Sequence, residues 1–188
     1  MRSVQQAEEA FRAMNAELTF IEENIRWVVE QRADGAKYIL IGQNLTAGST
    51  NTQIQMYAYR FLLGRLMRPI LGEEPFTIGF SFGSGQIVTT NICVEPPQFG
   101  PTNVLPFPNQ SFEWVAHYAG YPASILFLDR INPQEMGAEW LAESVLTRLI
   151  GSQYAPTLAE DYFIEVDLIN NFDAVIYVDE VSPTTMFP

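Results

Sequence analysis

Ser81, Cys93, His117, Asp167 and Asp173 are the side chains that decide what chemistry is open to this sequence. Gly79-Phe80-Ser81-Phe82-Gly83 has the spacing of a nucleophile elbow. That motif needs a strand, a strained turn bearing the serine and then a helix, so that the hydroxyl stands clear of the sheet. Here Ser81 falls inside the first arm of an expected hairpin, and a second strand follows. The single histidine, His117, also precedes Asp129, where that fold expects acid before histidine. The segment therefore reads as a glycine-rich aromatic strand. His117 as the sole imidazole excludes a multi-histidine metal site and leaves one candidate general base. On a strand over Phe112 to Tyr118 it points away from Phe112, Trp114 and Tyr118, with Glu113 too far along to touch it. It reads as a surface or interface histidine. Cys93, alone in the sequence and set in an apolar hairpin, reads as an inert buried thiol.

The carboxylates offer one arrangement. In a hairpin matching Ile164, Val166 and Leu168 to Phe172, Ala174, Ile176 and Val178, Asp167 stands opposite Asp173. Like charges so placed need water, an arginine or a cation to relieve them. Asn170 and Asn171 add oxygens, but the spacing and glycine of a calcium loop are missing. A solvated or partner-facing acidic patch is the reading, and a paired-carboxylate glycosidase has the same residues without an identifiable cleft. No phosphate-binding loop, zinc pattern or dinucleotide fingerprint is present. No residue is therefore assigned as catalytic, cofactor-binding or metal-ligating, and no cofactor is expected.

These residues have to be positioned by the elements around them. Val4, Ala7, Phe11, Met14, Leu18, Ile21, Ile25 and Val28 recur at steps of three and four, which predicts a long amphipathic helix of roughly 37 Å. Ser3 with Gln6 fits a capping box, and Thr19 with Glu22 a second, so a break near Thr19 is the alternative. Self-pairing would set Glu17 towards Glu22 of a partner, so the stripe is expected on the chain's own sheet or on a neighbouring subunit. Tyr38 to Ile41 reads as a short buried strand, 43–51 as a polar loop, and 53–68 as a strand giving way to a short helix. Phe76 to Val94 reads as a hairpin turning at Gly83-Ser84-Gly85. Residues 95–111, with Pro96, Pro97, Pro101, Pro106 and Pro108 among apolar side chains, read as an extended arm over its own domain or a neighbouring subunit.

Phe112 to Tyr118 and Ala123 to Leu128 then read as strands joined at Gly120-Tyr121-Pro122. A helix over 132–150 follows, with Asn132 as cap, Pro133 in the first turn and Gly151 after its end. The last hairpin turns at Ile169-Asn170-Asn171, and 182–188 is a short tail. This order predicts one α+β domain over 1–188: an antiparallel sheet of hairpins, with the long N-terminal helix and the 132–150 helix packed on one face.

Composition narrows the partners. The 188 residues carry 22 acidic against 10 basic side chains, a net charge of −12, and Lys37 is the only lysine. A phosphate backbone needs a basic surface, so nucleic acid is excluded. From Leu149 to Pro188 no basic side chain occurs. A lone cysteine precludes an intrachain disulfide, the N-terminal stretch lacks a signal-peptide core, and no segment approaches about 18 uninterrupted apolar residues. The expectation is a soluble chain with no membrane partner, cytoplasmic or, in a viral particle, part of the virion. Charged residues are only 17% of the chain, below the ordinary share of about 25%, so something besides water should cover part of its surface. With the proline-rich arm and no catalytic constellation, this points to a non-enzymatic structural subunit assembling into a homo-oligomeric ring or larger particle. The element order resembles the ring-forming proteins of phage head and tail junctions. The alternative is an acidic binding or inhibitor protein that blocks a basic partner.

Overall fold

A computed structural model describes residues 19–20, 22–31, 37–39, 41, 70, 76–151 and 153–185. The chain divides into two compact units, Met1–Thr77 and Ile78–Pro188. In the first, residues 22–30 are helical, with Arg26 bonded to Glu22 one turn earlier at 3.0 Å. These residues and 19–20 are the described part of the expected long N-terminal helix, which as a long element is not shown; residues 1–18 lie outside the described residues. Of Tyr38 to Ile41, expected as a buried strand, residues 38–39 and 41 are described and are irregular, and Ile39 and Ile41 are exposed. The 43–51 loop and the 53–68 segment are not among the described residues.

The second unit is built on β1, a strand from Ile78 to Asn91 that runs straight through the expected turn at Gly83-Ser84-Gly85. The glycines serve close approach instead of reversal. A Cβ at Gly83 would stand 2.5 Å from the Asp179 carbonyl oxygen and 2.6 Å from the Tyr177 hydroxyl, and one at Gly85 would stand 2.0 Å from the Val181 carbonyl oxygen. Gly85 also has φ of +121°, which side chains other than hydrogen resist. Gly79, Ser81 and Gly83 therefore share one covered face, while Phe80 stands on the other.

The strand that comes so close is β7, Ala174–Val181. It lies parallel to β1, with Ile78 beside Ala174 and Gly85 beside Val181. The second half of β1 takes β2, Gln98–Val104, antiparallel from Gly85 beside Val104 to Asn91 beside Gln98. Strand β3, Ala123–Phe127, runs antiparallel on the other side of β7. The order is β2-β1-β7-β3, and β5, Gln153–Tyr154, pairs parallel with the end of β1. A separate antiparallel ribbon joins β4, Val145–Arg148, to β6, Phe163–Val166. The fold is mixed α/β, with a sheet of mostly antiparallel strands and few helices.

Four further expectations are corrected. The proline-rich arm at 95–111 contains β2, with Pro101 beside Val88. Proline is tolerated there because β2 is an outer strand, where a missing N–H can face away from the ladder. Phe112–Tyr118 is a helix, α1, capped by the Ser111 hydroxyl, which accepts from the Trp114 N–H at 3.1 Å. Its apolar residues satisfy both periods, and the buried serine cap decides between them. The helix over 132–150 survives only as turns. The Asn132 side chain accepts from the Gln134 N–H, but Gly137 at φ +89° ends the turn. A short 3-10 turn at Glu139–Leu141 follows, then the β-branched Val145 and Thr147 enter β4.

The final hairpin is the fourth. Strand β6 pairs with β4, whereas β7 lies between β1 and β3. Between them Leu168–Asn171 forms a one-turn helix, α2. The core gathers Phe112 of α1, Leu128, Leu141, Val145, Val166, Leu168, Phe172, and Val175 and Tyr177 of β7. Of the expected tail, residues 182–185 are irregular and 186–188 lie outside the described residues. Among the described residues no helix is long and apolar enough to cross a membrane.

Candidate functional site

Alternation along β7 sends Val175, Tyr177 and Asp179 to one face, the first two deep and the third towards its carboxyl end. Helix α1 packs on that face through Phe112, whose ring meets Tyr177 edge-on at 6.3 Å. Its last turn then carries His117 to the rim, where Nδ1 lies 2.6 Å from Asp179 Oδ1. The same oxygen accepts the Tyr177 hydroxyl at 2.7 Å. The Asp179 N–H is held by the Pro122 carbonyl at 2.9 Å, fixing the strand just before β3.

The electrostatics agree with this geometry. The His117 hydrogen bond holds the Asp179 carboxyl below its ordinary range, with the Tyr177 bond adding to it and partial burial opposing both. Tyr177 is pushed far above the usual phenol range, first by burial and then by donating to Asp179. Asp179 is thus the anion and Tyr177 the permanent donor. An anionic Oδ1 facing Nδ1 assigns the imidazole proton to Nδ1 and leaves Nε2 as the acceptor when the ring is neutral. The His117 side chain is 46% exposed. Its ring is flanked by Phe107 at 5.2 Å and by the edge of Tyr118 at 5.4 Å. Such a dyad can take a proton from water or a hydroxyl group and give it back.

A second polar cluster lies beneath the first. Glu113, one turn before His117 on α1, is fully buried. Its Oε1 accepts from the Ser81 hydroxyl of β1 and from the Arg148 backbone N–H of β4 at 3.0 Å. The Arg148 guanidinium donates to the carbonyls of Leu105 and Gly83, both at 2.9 Å. The rings of Phe82 and Phe163 lie 5.2 and 4.9 Å from it. Burial raises the Glu113 carboxyl above its ordinary range against these hydrogen bonds, and burial lowers Arg148 while Glu113 opposes the shift. Glu113 Oε2 and Arg148 Nε have no partner among the described residues.

The residues singled out from sequence go to different places. Ser81 is a buried mid-strand donor to Glu113, not the tip of a turn, so the elbow spacing builds no nucleophile. Cys93 is exposed, not buried. Its Sγ lies 3.1 Å from Thr157 Oγ1, a contact that pushes the thiol down. Asp167 does not face Asp173. It caps α2, accepting from the Asn170 N–H at 3.1 Å and the Asn170 side chain at 2.7 Å. The Asp173 carbonyl instead accepts from Leu128 and Asp129. No group of three or more metal-ligating side chains occurs among the described residues. Asp179, Tyr177, Glu113 and Arg148 were missed. Tyr177 and Asp179 do share a strand face by period, but His117 is 62 positions away from Asp179 and no local spacing announces it.

A family model described as erythromycin esterase matches residues 1–181. Among solved structures, the chain is similar to a protein of Bacillus cereus, with a TM-score of 0.60 at 20% identity over 75% of this chain and 33% of that one. It is also similar to a succinoglycan biosynthesis protein, with a TM-score of 0.55 at 16% identity over 74% and 32% of the two chains. The chain therefore spans about a third of the length of these structures, and at such identities the likeness establishes the fold. No curated protein matches. The family match overturns the reading as a non-enzymatic structural subunit, virion or phage-tail component, and with it the acidic inhibitor alternative. Low charge and a proline-rich segment say how a surface is covered, and carry no information on whether a base is assembled from distant residues.

Proposed function

Because the chain belongs to the erythromycin esterase family, we propose that it is a hydrolase of carboxylic esters, cyclic esters such as macrolide lactones included, with His117 as general base. The observation that carries this is the 2.6 Å contact between His117 Nδ1 and Asp179 Oδ1. It leaves Nε2 of a half-exposed imidazole to act on water. In the reaction, Nε2 takes a proton from water as the water oxygen bonds to the ester carbonyl carbon. Asp179 stabilises the imidazolium that forms, and the Tyr177 hydroxyl keeps Asp179 from turning away. When the tetrahedral species collapses, the carbon bond to the leaving oxygen breaks, and the imidazolium returns its proton to that oxygen. The products are a carboxylic acid and an alcohol, or one hydroxy acid from a lactone.

The test is hydrolysis of an activated aryl ester and of erythromycin by the full 188-residue chain, followed by acid release. His117→Ala is expected to lower kcat about 100-fold or more, within the range for losing a positioned base. Activity that persists unchanged in that variant would remove the proposal.

A further inference from the structure

Helix α1 is only seven residues long, too short to be stable by itself, so its orientation has to come from what its side chains hold. Three of its attachments are polar. The buried Ser111 hydroxyl caps the N-terminus, Glu113 binds β1 and β4 through one oxygen, and His117 reaches β7. Glu113 and His117 are one turn apart and so lie on the same side of the helix. We propose that Glu113 is a positioning residue for His117: by tying the first turn of α1 to Ser81 and to the Arg148 backbone, it fixes the rotation that puts Nδ1 on Asp179. The Arg148 guanidinium completes the tie. It spans the Leu105 and Gly83 carbonyls, and Gly83 is the residue over which Tyr177 and Asp179 are packed. The catalytic consequence rests on the reading of His117 as the base, whereas the positioning can be seen without any turnover.

His117 is the only histidine in the chain, so its Nδ1–H gives a single low-field imidazole resonance that needs no assignment. The experiment compares that resonance, kcat and KM in wild type, Glu113→Ala, Glu113→Gln and Ser81→Ala. Glutamine keeps a carbonyl oxygen in the place of Oε1, and alanine does not. We expect Glu113→Ala to broaden or lose the resonance and to lower kcat about 100-fold, the scale of a misplacement near 1 Å, with KM little changed. Glu113→Gln should recover most of both, and Ser81→Ala should fall between. A Glu113→Ala protein that is folded and retains the sharp resonance overturns the proposal, as does failure of glutamine to recover it. Should Glu113→Ala not fold, Ser81→Ala decides, and an unaltered resonance there is equally fatal. If the resonances follow this order while no variant, wild type included, hydrolyses ester, positioning stands and the hydrolase reading falls.

Discussion

A single oxygen, Asp179 Oδ1, receives both the His117 ring at 2.6 Å and the Tyr177 hydroxyl at 2.7 Å. Both donors prefer the ionised carboxylate, which is why its folded-state titration lies below the ordinary value. The sign of the pH effect follows. The contact contributes stability at pH values above the unfolded carboxylate value of about 4, and that contribution is lost as pH falls through the depressed folded one. Asp179→Asn cannot titrate, so its thermal midpoint should decline less on acidification than that of wild type. Calorimetry in a pH series checks this, and parallel acid limbs would count against an ionised Asp179. Because a third of the Asp179 side chain is exposed, solvent screens the pair, and the difference between the limbs should shrink at high salt.

Among the elements, β1 carries the lesson of the glycines. Gly83 has no room for a Cβ beside the Asp179 backbone and the Tyr177 hydroxyl, so Gly83→Ala should push β7 away. The expected cost is about 1–3 kcal/mol, typical of overpacking, read from urea unfolding. A variant as stable as wild type would show that the strands can separate freely. The same glycines show how far the sequence could be read. Two glycines around a serine between apolar runs have the chemistry of a turn and equally that of a tight strand contact, and only the partner strand decides. Ala123 to Leu128, by contrast, was legible as a strand, because Gly120 at φ +78° and Pro122 punctuate its start. Segment 132–150 was misread because Asn132 and Pro133 open one turn, and Gly137 stops it before the apolar spacing can propagate it. His117 was visible as the sole base, but its orienting acid was not, since a contact across 62 positions leaves no local trace.

At the level of the whole molecule, 22 acidic residues against 10 basic ones and a buried Arg148 leave little positive surface. The chain also spans only about a third of the solved structures it resembles, so the proposed hydrolysis has to be assayed on this chain as it stands. One topological feature sets the order in which the second unit can come together. Its opening strand β1 and its closing strand β7 are partners, and among the described residues β7 is also the only partner of β3. Nearly the whole unit must be synthesised before the sheet has its centre, and closing so long a loop slows folding. A chain ended at Phe172 should leave all the amides of residues 78–84 and 123–127 open to hydrogen exchange, whereas the full chain protects the alternate ones that face β7. Protection in the shortened chain would mean that these strands find each other some other way. Until β7 emerges from the ribosome, β1 presents an apolar, unpaired edge in the crowded cell, and the protein's yield should depend on chaperone supply more than its modest size would imply.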